Sequence, residues 1–435
     1  MMCLILILSF TLRLIGINQS MWLDEAISVT MAQLPIDKIV SVFSTHDFHP
    51  PMYYWFLNIW IKIFGNGVMV MRFSSVLFSL ITIWLVYKIG KEIKDKNLGM
   101  WAALFVGVNP LLIYYSQELR MYSMTAMLLT GAIYFFIKFN KKDSWKNILG
   151  FGILTGLSFA TFYGSIFLTG AMILYFLITK KWNIFWWSSL GIAITVLAVS
   201  PLLLIQLKMS GQMLNQVTNW SLVLGKVNLK NLFLIPFKFS IGRISWYPKI
   251  SYYLIGGIWT IIVFGLATKQ LIKNKIMKWI LIIPIVMGVI FSFKSPLMQY
   301  FRFLYLIPIL SLVLAEIKNN KIKLLLVVGF LIFSGMYLLN PNMYREDWKS
   351  LTASLKNENK IYMVESFGDP VRYYNSKIKI VDIKTTNPTE EKITLIPYGE
   401  EIHGINSDEK LTKLGYKLTK KNNFREITTE IWEKE

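Results

Sequence analysis

Apolar runs of about 17 to 25 residues recur along most of this chain, and they constrain its fold more than any other feature. Each run is long enough to cross the hydrocarbon core of a bilayer as a helix. With 54% hydrophobic and only 16% charged residues, the chain is too apolar for a soluble protein of 435 residues. We predict about eleven transmembrane helices, near 2–17, 68–88, 98–115, 122–138, 147–163, 164–179, 184–206, 251–268, 279–293, 302–317 and 322–340.

The positive charge belongs to this apolar part. Before Arg345 there are 30 Lys and Arg against 9 Asp and Glu, whereas the sequence from Arg345 onward has 16 of each. The lysines cluster in short loops between predicted spans, which is typical of cytoplasmic loops and argues against nucleic-acid binding. We therefore predict a multi-pass cell-membrane protein with a cytoplasmic amino terminus and an outside carboxy-terminal domain. The basic loops are 88–96, 138–146, 180–181, 269–278 and 318–323.

The first apolar run has neither the basic leading region nor the small-residue cleavage site of a signal peptide. We expect it to be retained as a first span, Met2 to Ile17. Arg13 lies near its far end, where a long side chain can reach the headgroup layer. The single cysteine, Cys3, excludes an internal disulfide.

The stretch from Met52 to Phe64 decides the orientation of every later loop. Tyr54, Asn58 and Lys62 recur every four positions and give an aromatic helix one narrow polar stripe. This pattern favours a helix lying in the outer interface, with Pro51 at its first turn. Counting it as a span would invert the predicted topology.

After residue 340 the sequence becomes polar. Short apolar strands at Ile361–Val364, Ile378–Ile383 and Ile393–Pro397 alternate with helical stretches such as Ser407–Leu414. We predict a small α/β domain over residues 341–435, following a membrane domain over residues 1–340. The predicted fold class is thus an all-α polytopic membrane protein with interfacial helices on its outer face and a small C-terminal α/β domain.

An acidic pair, Asp24 and Glu25, follows the first span on the predicted outer side. Adjacent carboxylates at a membrane surface can divide roles, because one accepts a proton from a nucleophile while the other orients a neighbouring group. Partial burial would raise the pKa of a carboxylate and strengthen it as a base. The alternative is that Asp24 merely caps a helix that starts at Glu25.

Metal binding is a further hypothesis for this loop. His46, Asp47 and His49 have the ligand types of a metal site, and with Asp24 nearby a divalent cation is conceivable. Two histidines in a loop are more often polar surface. His49 precedes two prolines that restrict the backbone, which favours a fixed hydrogen-bonding group. No cofactor is therefore predicted with certainty.

Basic residues gather on the same predicted side. Arg120 follows one span and Arg302 opens another, with Lys294 shortly before it. Each arginine alone is explained by snorkelling to the interface. Several guanidinium groups converging above an acidic base would instead form a phosphate clamp, since guanidinium binds phosphate oxygens in a bidentate manner. That grouping favours a lipid-phosphate substrate that enters from the bilayer.

The predicted spans contain no Asp, Glu or His near their centres, and Arg72 lies near the outer end of its span. Ion-coupled transporters usually place ionisable groups at mid-membrane. The polar chemistry is therefore on the outer face, which favours an enzyme. A transporter or flippase of lipid-linked sugars remains the alternative.

Several motifs, taken in order, resemble the GT-C glycosyltransferases related to protein O-mannosyltransferases and the lipid A aminoarabinose transferase. The resemblance covers roughly residues 10 to 350. Phe303 stands where tyrosine is usual in the late motif. The motifs are Ser20–Ala26, His49–Tyr54, Arg72–Leu77, Glu118–Ser123, Ser295–Pro308 and Arg345–Trp348.

The resemblance implies a GT-C fold, a polyprenyl-phosphate-linked sugar donor, and transfer on the outer face with inversion at the anomeric carbon. By the same resemblance Asp24 is the general base and Glu25 supports it. Arg120 and Arg302 would hold the departing lipid phosphate. The other substrate-binding residues that it implies are His49, Tyr53, Tyr122, Lys294 and Arg13.

The resemblance also bears on the acceptor. The catalytic loop would be residues 18–67, and the longest mid-chain outer loop runs only from about 208 to 250. The chain therefore lacks the large inserted β-domain of the O-mannosyltransferases. This favours a lipid or glycan acceptor over a protein.

Overall fold

The computed structural model describes residues 1–46, 48–139 and 144–435, apart from the side chains of residues 43–46 and 222. Helices occupy most of the chain up to residue 338, and a five-stranded sheet follows. The helices of the first part are α1 (Met2–Leu14), α2 (Leu23–Ala32), α3 (Ile36–His46), α4 (Met52–Phe64), α5 (Val68–Ile93), α6 (Lys96–Val108), α7 (Pro110–Ser116), α8 (Tyr122–Phe139), α9 (Trp145–Thr161), α10 (Ile166–Ile178), α11 (Trp182–Gln216), α12 (Trp220–Leu224), α13 (Leu229–Ile241), α14 (Lys249–Leu271), α15 (Lys275–Ser292), α16 (Ile307–Ala315) and α17 (Asn320–Leu338).

Each predicted span is helical, but fewer helices are long enough to cross a membrane than the sequence suggests. Six helices have the length and apolar composition required, namely α5, α8, α11, α14, α15 and α17. A seventh candidate is the pair α6 and α7, which bends by 62°. The described residues thus contain six or seven candidate spans, and the predicted count of eleven is not confirmed. Helices α1, α10 and α16 are apolar but shorter.

The bend between α6 and α7 follows from its sequence. Pro110 has no backbone N–H, and the Asn109 side chain accepts the N–H of Leu111 at 3.1 Å. The carbonyl groups of Val106 and Gly107 therefore lack their usual helical donors. These carbonyl oxygens become acceptors for a side chain from another helix.

That side chain is Arg13, which is fully buried. Its guanidinium donates to the carbonyl oxygens of Gly107 at 2.8 Å and Val106 at 3.4 Å, and to Ser79 Oγ at 2.9 Å. Arg13 thus joins α1 to α5 and to the broken end of α6. The predicted snorkelling of Arg13 to the headgroup layer is wrong, because the protein itself satisfies the guanidinium.

Helix α4 begins and ends at the predicted residues, has 13 residues, and is not among the candidate spans. Tyr54 and Asn58 are buried, and the Asn58 amide donates to the carbonyl oxygens of Ala32 and Leu34 at 2.7 and 3.0 Å. The polar stripe therefore packs against the protein, and only Lys62 is exposed.

The C-terminal segment, residues 341–435, contains the sheet. The three predicted strands are confirmed, and the helix predicted at Ser407–Leu414 is observed over Ser407–Lys413. A β-hairpin that the sequence analysis did not identify completes the sheet, whose order is β2-β1-β3-β5-β4. Strands β2 and β3 pair with β1 in parallel, and the other two pairings are antiparallel. The elements are α18 (Trp348–Ser354), β1 (Lys360–Met363), α19 (Asp369–Tyr374), β2 (Lys379–Asp382), β3 (Lys392–Ile396), α20 (Glu400–His403), α21 (Ser407–Lys413), β4 (Tyr416–Phe424) and β5 (Ile427–Lys434).

Candidate active site around the acidic pair

The acidic pair lies in the first turn of α2, where the unpaired N–H groups favour negative charge. Helix α2 begins at Leu23, and the Glu25 carboxylate accepts the N–H of the capping residue Trp22 at 3.3 Å. Glu25 therefore makes the capping contact. The alternative in which Asp24 caps this helix is wrong, and the Asp24 carboxylate stays available for other contacts.

Glu25 is sealed inside the protein. Its carboxylate accepts two hydrogen bonds from the Arg72 guanidinium, at 2.8 and 2.5 Å, and both side chains are buried. The backbone N–H of Leu119 donates to the same carboxylate at 2.8 Å. A bidentate pair of this kind fixes orientation as well as charge. Glu25 thus ties α2 to α5 and to the segment between α7 and α8.

Arg72 also shapes the chain that leads into the acidic pair. Its guanidinium donates to the carbonyl oxygens of Ile17, Gln19 and Ser20 at 2.9, 2.8 and 3.0 Å. These three hydrogen bonds hold residues 17–20 around the Arg72 guanidinium. The position of Asp24 therefore depends on Arg72, a residue that the sequence analysis noted only as a charge near a helix end.

Asp24 is on the open side of the same turn. Its side chain is 38% exposed, and its carboxylate lies 3.9 Å from the Arg120 guanidinium, which is almost buried. Arg120 is held by the Asp24 carbonyl oxygen at 3.2 Å and by Ser28 Oγ at 3.1 Å. An accessible carboxylate beside a fixed guanidinium can accept a proton while the cation binds an anion.

Aromatic rings connect this pair to the remaining predicted residues. The Tyr122 ring packs edge-on against Phe301 at 5.3 Å and Phe162 at 6.1 Å, and His49 stacks on Phe162 at 6.4 Å. The charged neighbours of the Tyr122 hydroxyl include Arg120, Asp24 and Arg302. Electrostatic influence thus links Tyr122 to Asp24, Arg120 and Arg302, the Arg302 guanidinium donates to the Pro296 carbonyl oxygen at 3.3 Å, and His49 and Tyr122 both contact the Phe162 ring.

Three further predicted residues remain. Tyr53 is fully buried near this cluster, with Arg120 and Glu25 as charged neighbours, and burial raises the pKa of its hydroxyl, so it remains protonated. Lys294 is exposed after α15 and makes no hydrogen bond or ion pair with any described site residue. Arg13 is committed to α5 and α6 and also lies outside the cluster.

The metal hypothesis rests largely on residues that cannot be placed. Asp47 and the side chain of His46 lie outside the described residues. Among the residues that are described, no group of three His, Cys, Asp or Glu side chains comes together to hold an ion.

Comparison with known proteins supports the resemblance. Residues 48–205 match the family model described as dolichyl-phosphate-mannose-protein mannosyltransferase. ArnT from Cupriavidus metallidurans, in the apo state, superposes with a TM-score of 0.60 at 11% identity, covering 99% of this chain and 97% of that chain. The same protein bound to undecaprenyl phosphate gives a TM-score of 0.58 at 11% identity, over 99% and 96% of the two chains.

The chain has the GT-C fold of the O-mannosyltransferase and ArnT group. A second similar structure is the oligosaccharyltransferase of Archaeoglobus fulgidus in complex with Zn and sulfate, with a TM-score of 0.55 at 12% identity, over 88% of this chain and 62% of that chain. No curated protein matches the sequence significantly. The GT-C fold that the motifs implied is thus confirmed, including the small C-terminal sheet.

Within this GT-C fold, three residues near the acidic pair had been given no role from the sequence. Glu118 is buried, and burial raises the pKa of its carboxyl to about 7. Arg345 lies 3.8 Å from Glu118 and donates to the Tyr114 hydroxyl at 2.8 Å. Arg243 lies over the Tyr114 ring at 5.3 Å and forms no ion pair within the described residues.

Two of these residues carried a signal in the sequence. Glu118 and Arg345 belong to motifs of the GT-C resemblance, and Arg243 is the only arginine between residues 208 and 250. A lone arginine in a loop whose other basic residues are lysines is only a weak indication of a functional role, since the sequence does not show which aromatic ring it contacts.

Proposed function

We propose that this protein is an integral-membrane glycosyltransferase that moves a sugar from a polyprenyl-phosphate donor to an acceptor hydroxyl on the outer face, with inversion. The proposal rests on one observation, namely that two adjacent carboxylates have different environments. Glu25 is sealed by Arg72, whereas Asp24 is partly exposed beside Arg120. The likeness to ArnT, which was solved with undecaprenyl phosphate, supports a lipid-phosphate donor.

In the proposed reaction, Asp24 acts as general base. Its carboxylate accepts the proton of the acceptor hydroxyl while that oxygen bonds to the anomeric carbon. The bond between this carbon and the phosphate oxygen breaks, and the lipid phosphate leaves with the electron pair. Attack from the face opposite to the leaving phosphate inverts the anomeric centre.

Arg120 and Arg302 are proposed to stabilise the departing phosphate, because negative charge on its oxygen grows as the bond breaks. Arg243 extends this group of cations, since its guanidinium has no carboxylate partner within the described residues. Tyr122 has Asp24, Arg120 and Arg302 as charged neighbours, which supports a contact of its hydroxyl with the donor. His49, stacked on Phe162, would shape the sugar pocket.

We further propose residues 1–340 as the membrane domain, with residues 18–67 as its outer catalytic loop, and residues 341–435 as a domain on the same outer side. The amino terminus is then cytoplasmic, as the basic loops indicate. The acceptor belongs to the lipids, glycans or proteins of the cell envelope, and the small size of the outer loops favours the first two.

The test is transfer of label from radiolabelled polyprenyl-phosphate sugars into a new product, with purified protein and membrane extract. We expect Asp24→Asn to lower turnover by about 10² to 10⁴, as for loss of a positioned base. Asp37→Asn is the matched control, since Asp37 is an exposed acid in the first turn of α3. Full transfer by folded Asp24→Asn protein would refute the assignment. Movement of donor across a bilayer without a new product would favour a flippase.

A further inference from the structure

The C-terminal segment contacts the turn that carries Asp24. Leu23 packs into the hydrophobic cluster of that segment, together with the fully buried Trp348. The backbone N–H of Met21 donates to the Tyr374 hydroxyl at 2.8 Å. The chain immediately before Asp24 is therefore held by residues from the other end of the sequence.

Arg345 is a charged residue that makes several contacts across this junction. Its guanidinium lies 3.6 Å from the centre of the Trp22 ring, donates to the Tyr114 hydroxyl at 2.8 Å, and lies 3.8 Å from the Glu118 carboxylate. Cation–π contact, hydrogen bond and ion pair thus converge on one side chain. Arg345 joins the capping residue of α2 to the segment between α7 and α8.

The sheet fixes Arg345 in turn. The Arg425 side chain donates to the Arg345 carbonyl oxygen at 2.7 Å, and the Arg425 carbonyl accepts the N–H of Asp347 at 3.1 Å. Arg425 lies in the turn between β4 and β5. The position of the Arg345 guanidinium therefore depends on the final hairpin of the chain.

Glu118 gives this contact an electrostatic consequence. Both of its carboxylate oxygens are buried and have no hydrogen-bond partner within the described residues. The charged groups that face it are Arg345, Arg243, Glu25 and Asp24. Burial opposes ionisation of this carboxyl, and Arg345 favours its ionised form. Arg345 is the one cation within ion-pair distance of Glu118 among the described residues.

We propose that Arg345 is a positioning residue of the transfer site, and that the C-terminal segment completes this site. Arg345 holds Trp22, and through it the turn that presents Asp24, and it balances the charge of Glu118. The inference rests on the proposed glycosyl transfer. It deepens that proposal by assigning a role to a segment outside the matched family region.

The test compares Arg345→Gln and Arg345→Lys with Arg372→Gln in the full-length protein. Arg372 is a matched control because it is a partly exposed arginine of the same segment whose ion pairs are with Glu365 and Asp369. We expect Arg345→Gln to lower kcat by about 10- to 100-fold, as for loss of a residue that orients catalytic groups. Donor KM should change by less than about two-fold.

Arg345→Lys should recover part of kcat, because lysine keeps the charge near Glu118 but lacks the planar fork that reaches Tyr114 and stacks on Trp22. Equal kcat for Arg345→Gln and Arg372→Gln would overturn the inference. A rise in donor KM with unchanged kcat would also overturn it, since Arg345 would then bind the donor directly.

If Arg345→Gln does not fold, the comparison of Arg345→Lys with Arg372→Gln remains, and equal kcat there would overturn the inference. Where Arg345→Gln folds, we expect the double variant Arg345→Gln, Glu118→Gln to have about the same kcat as Arg345→Gln, because Glu118 without Arg345 is protonated and glutamine is its neutral equivalent. Strict additivity of the two single effects would contradict a coupling between them. Full activity of Asp24→Asn would refute the proposed base and leave these Arg345 comparisons interpretable, so the two failures are distinguishable.

Discussion

The two faces of helix α2 place their carboxylates in different environments, one buried and one partly exposed. On the face toward α5, Glu25 is enclosed by Arg72 and by the N–H of Leu119. On the other face, Asp24 meets Arg120 at a longer distance and remains open. Successive residues of a helix point in different directions, so adjacent acids enter different environments. The difference shows that two adjacent carboxylates can have separate environments: Glu25 holds the loop together, and Asp24 remains accessible.

The largest expected effect on stability lies on the sealed face. Arg72→Gln leaves the Glu25 carboxylate buried without its cation, and we expect the free energy of unfolding to fall by about 3–5 kcal/mol. Thermal unfolding in detergent measures it as a lower midpoint. Asp24→Asn is the control on the open face, where we expect a change within about 0.5 kcal/mol. An equal decrease in the free energy of unfolding in both variants would contradict the distinction between the two faces.

We expect the free energy of unfolding to depend on pH through Glu118, which lies beside the sealed face. Burial raises the pKa of Glu118 to about 7, above its unfolded value, so the folded state binds the proton more tightly. This carboxyl therefore costs no stability below the unfolded pKa of about 4.3, and the cost develops as pH rises toward 7, reaching on the order of 3 kcal/mol. Thermal unfolding midpoints measured between pH 4 and 8 test this prediction, because Glu118→Gln should reduce the fall of the midpoint as pH rises. The same fall of the midpoint with pH in both proteins would contradict it.

On the open face, the expected effect is on donor binding. Arg120→Ala removes a guanidinium proposed to hold the lipid phosphate, and we expect donor KM to rise by about 10-fold, as for loss of one charge-assisted hydrogen bond. Steady-state kinetics with a fixed acceptor concentration measure it. The same donor KM in both proteins would remove Arg120 from the phosphate clamp.

The smallest expected effect concerns Lys294, which we expect to lie outside the phosphate-binding residues of the open face. Lys294 is exposed and makes no hydrogen bond or ion pair with the described site residues, so Lys294→Ala should change donor KM by less than about two-fold. The same kinetic assay applies. A change as large as that of Arg120→Ala would place Lys294 within the clamp after all.

Local pattern predicted much of the fold. The limits of α4 and the three apolar strands follow from periodicity and from Pro51, which are properties of neighbouring residues. The β4–β5 hairpin was not identified because β4 is largely polar, and its pairing with β5 is supplied by the sheet. The predicted number of spans is not confirmed, because an apolar run shows its composition and not the length of its helix.

The site was predictable only in part. The motifs named Asp24, Arg120 and Arg302 as candidates, which stay predictions, but they did not show that Glu25 pairs with Arg72. Arg13 was misinterpreted because its partners are carbonyl oxygens freed by a break in α6, which only the tertiary structure brings near α1. The role of Arg345 depends on a contact between the two ends of the chain, and no local pattern records such a contact.

The hairpin contact to Arg345 has a consequence for biosynthesis. Translation produces Asp24 well before Arg425, so the turn that bears the acid lacks the support of the β4–β5 hairpin until that hairpin has been made. A truncated chain that stops before this hairpin would carry Asp24 without the support that Arg345 gives to the turn. By the proposed role of Arg345, transfer activity would then begin only after the hairpin has folded.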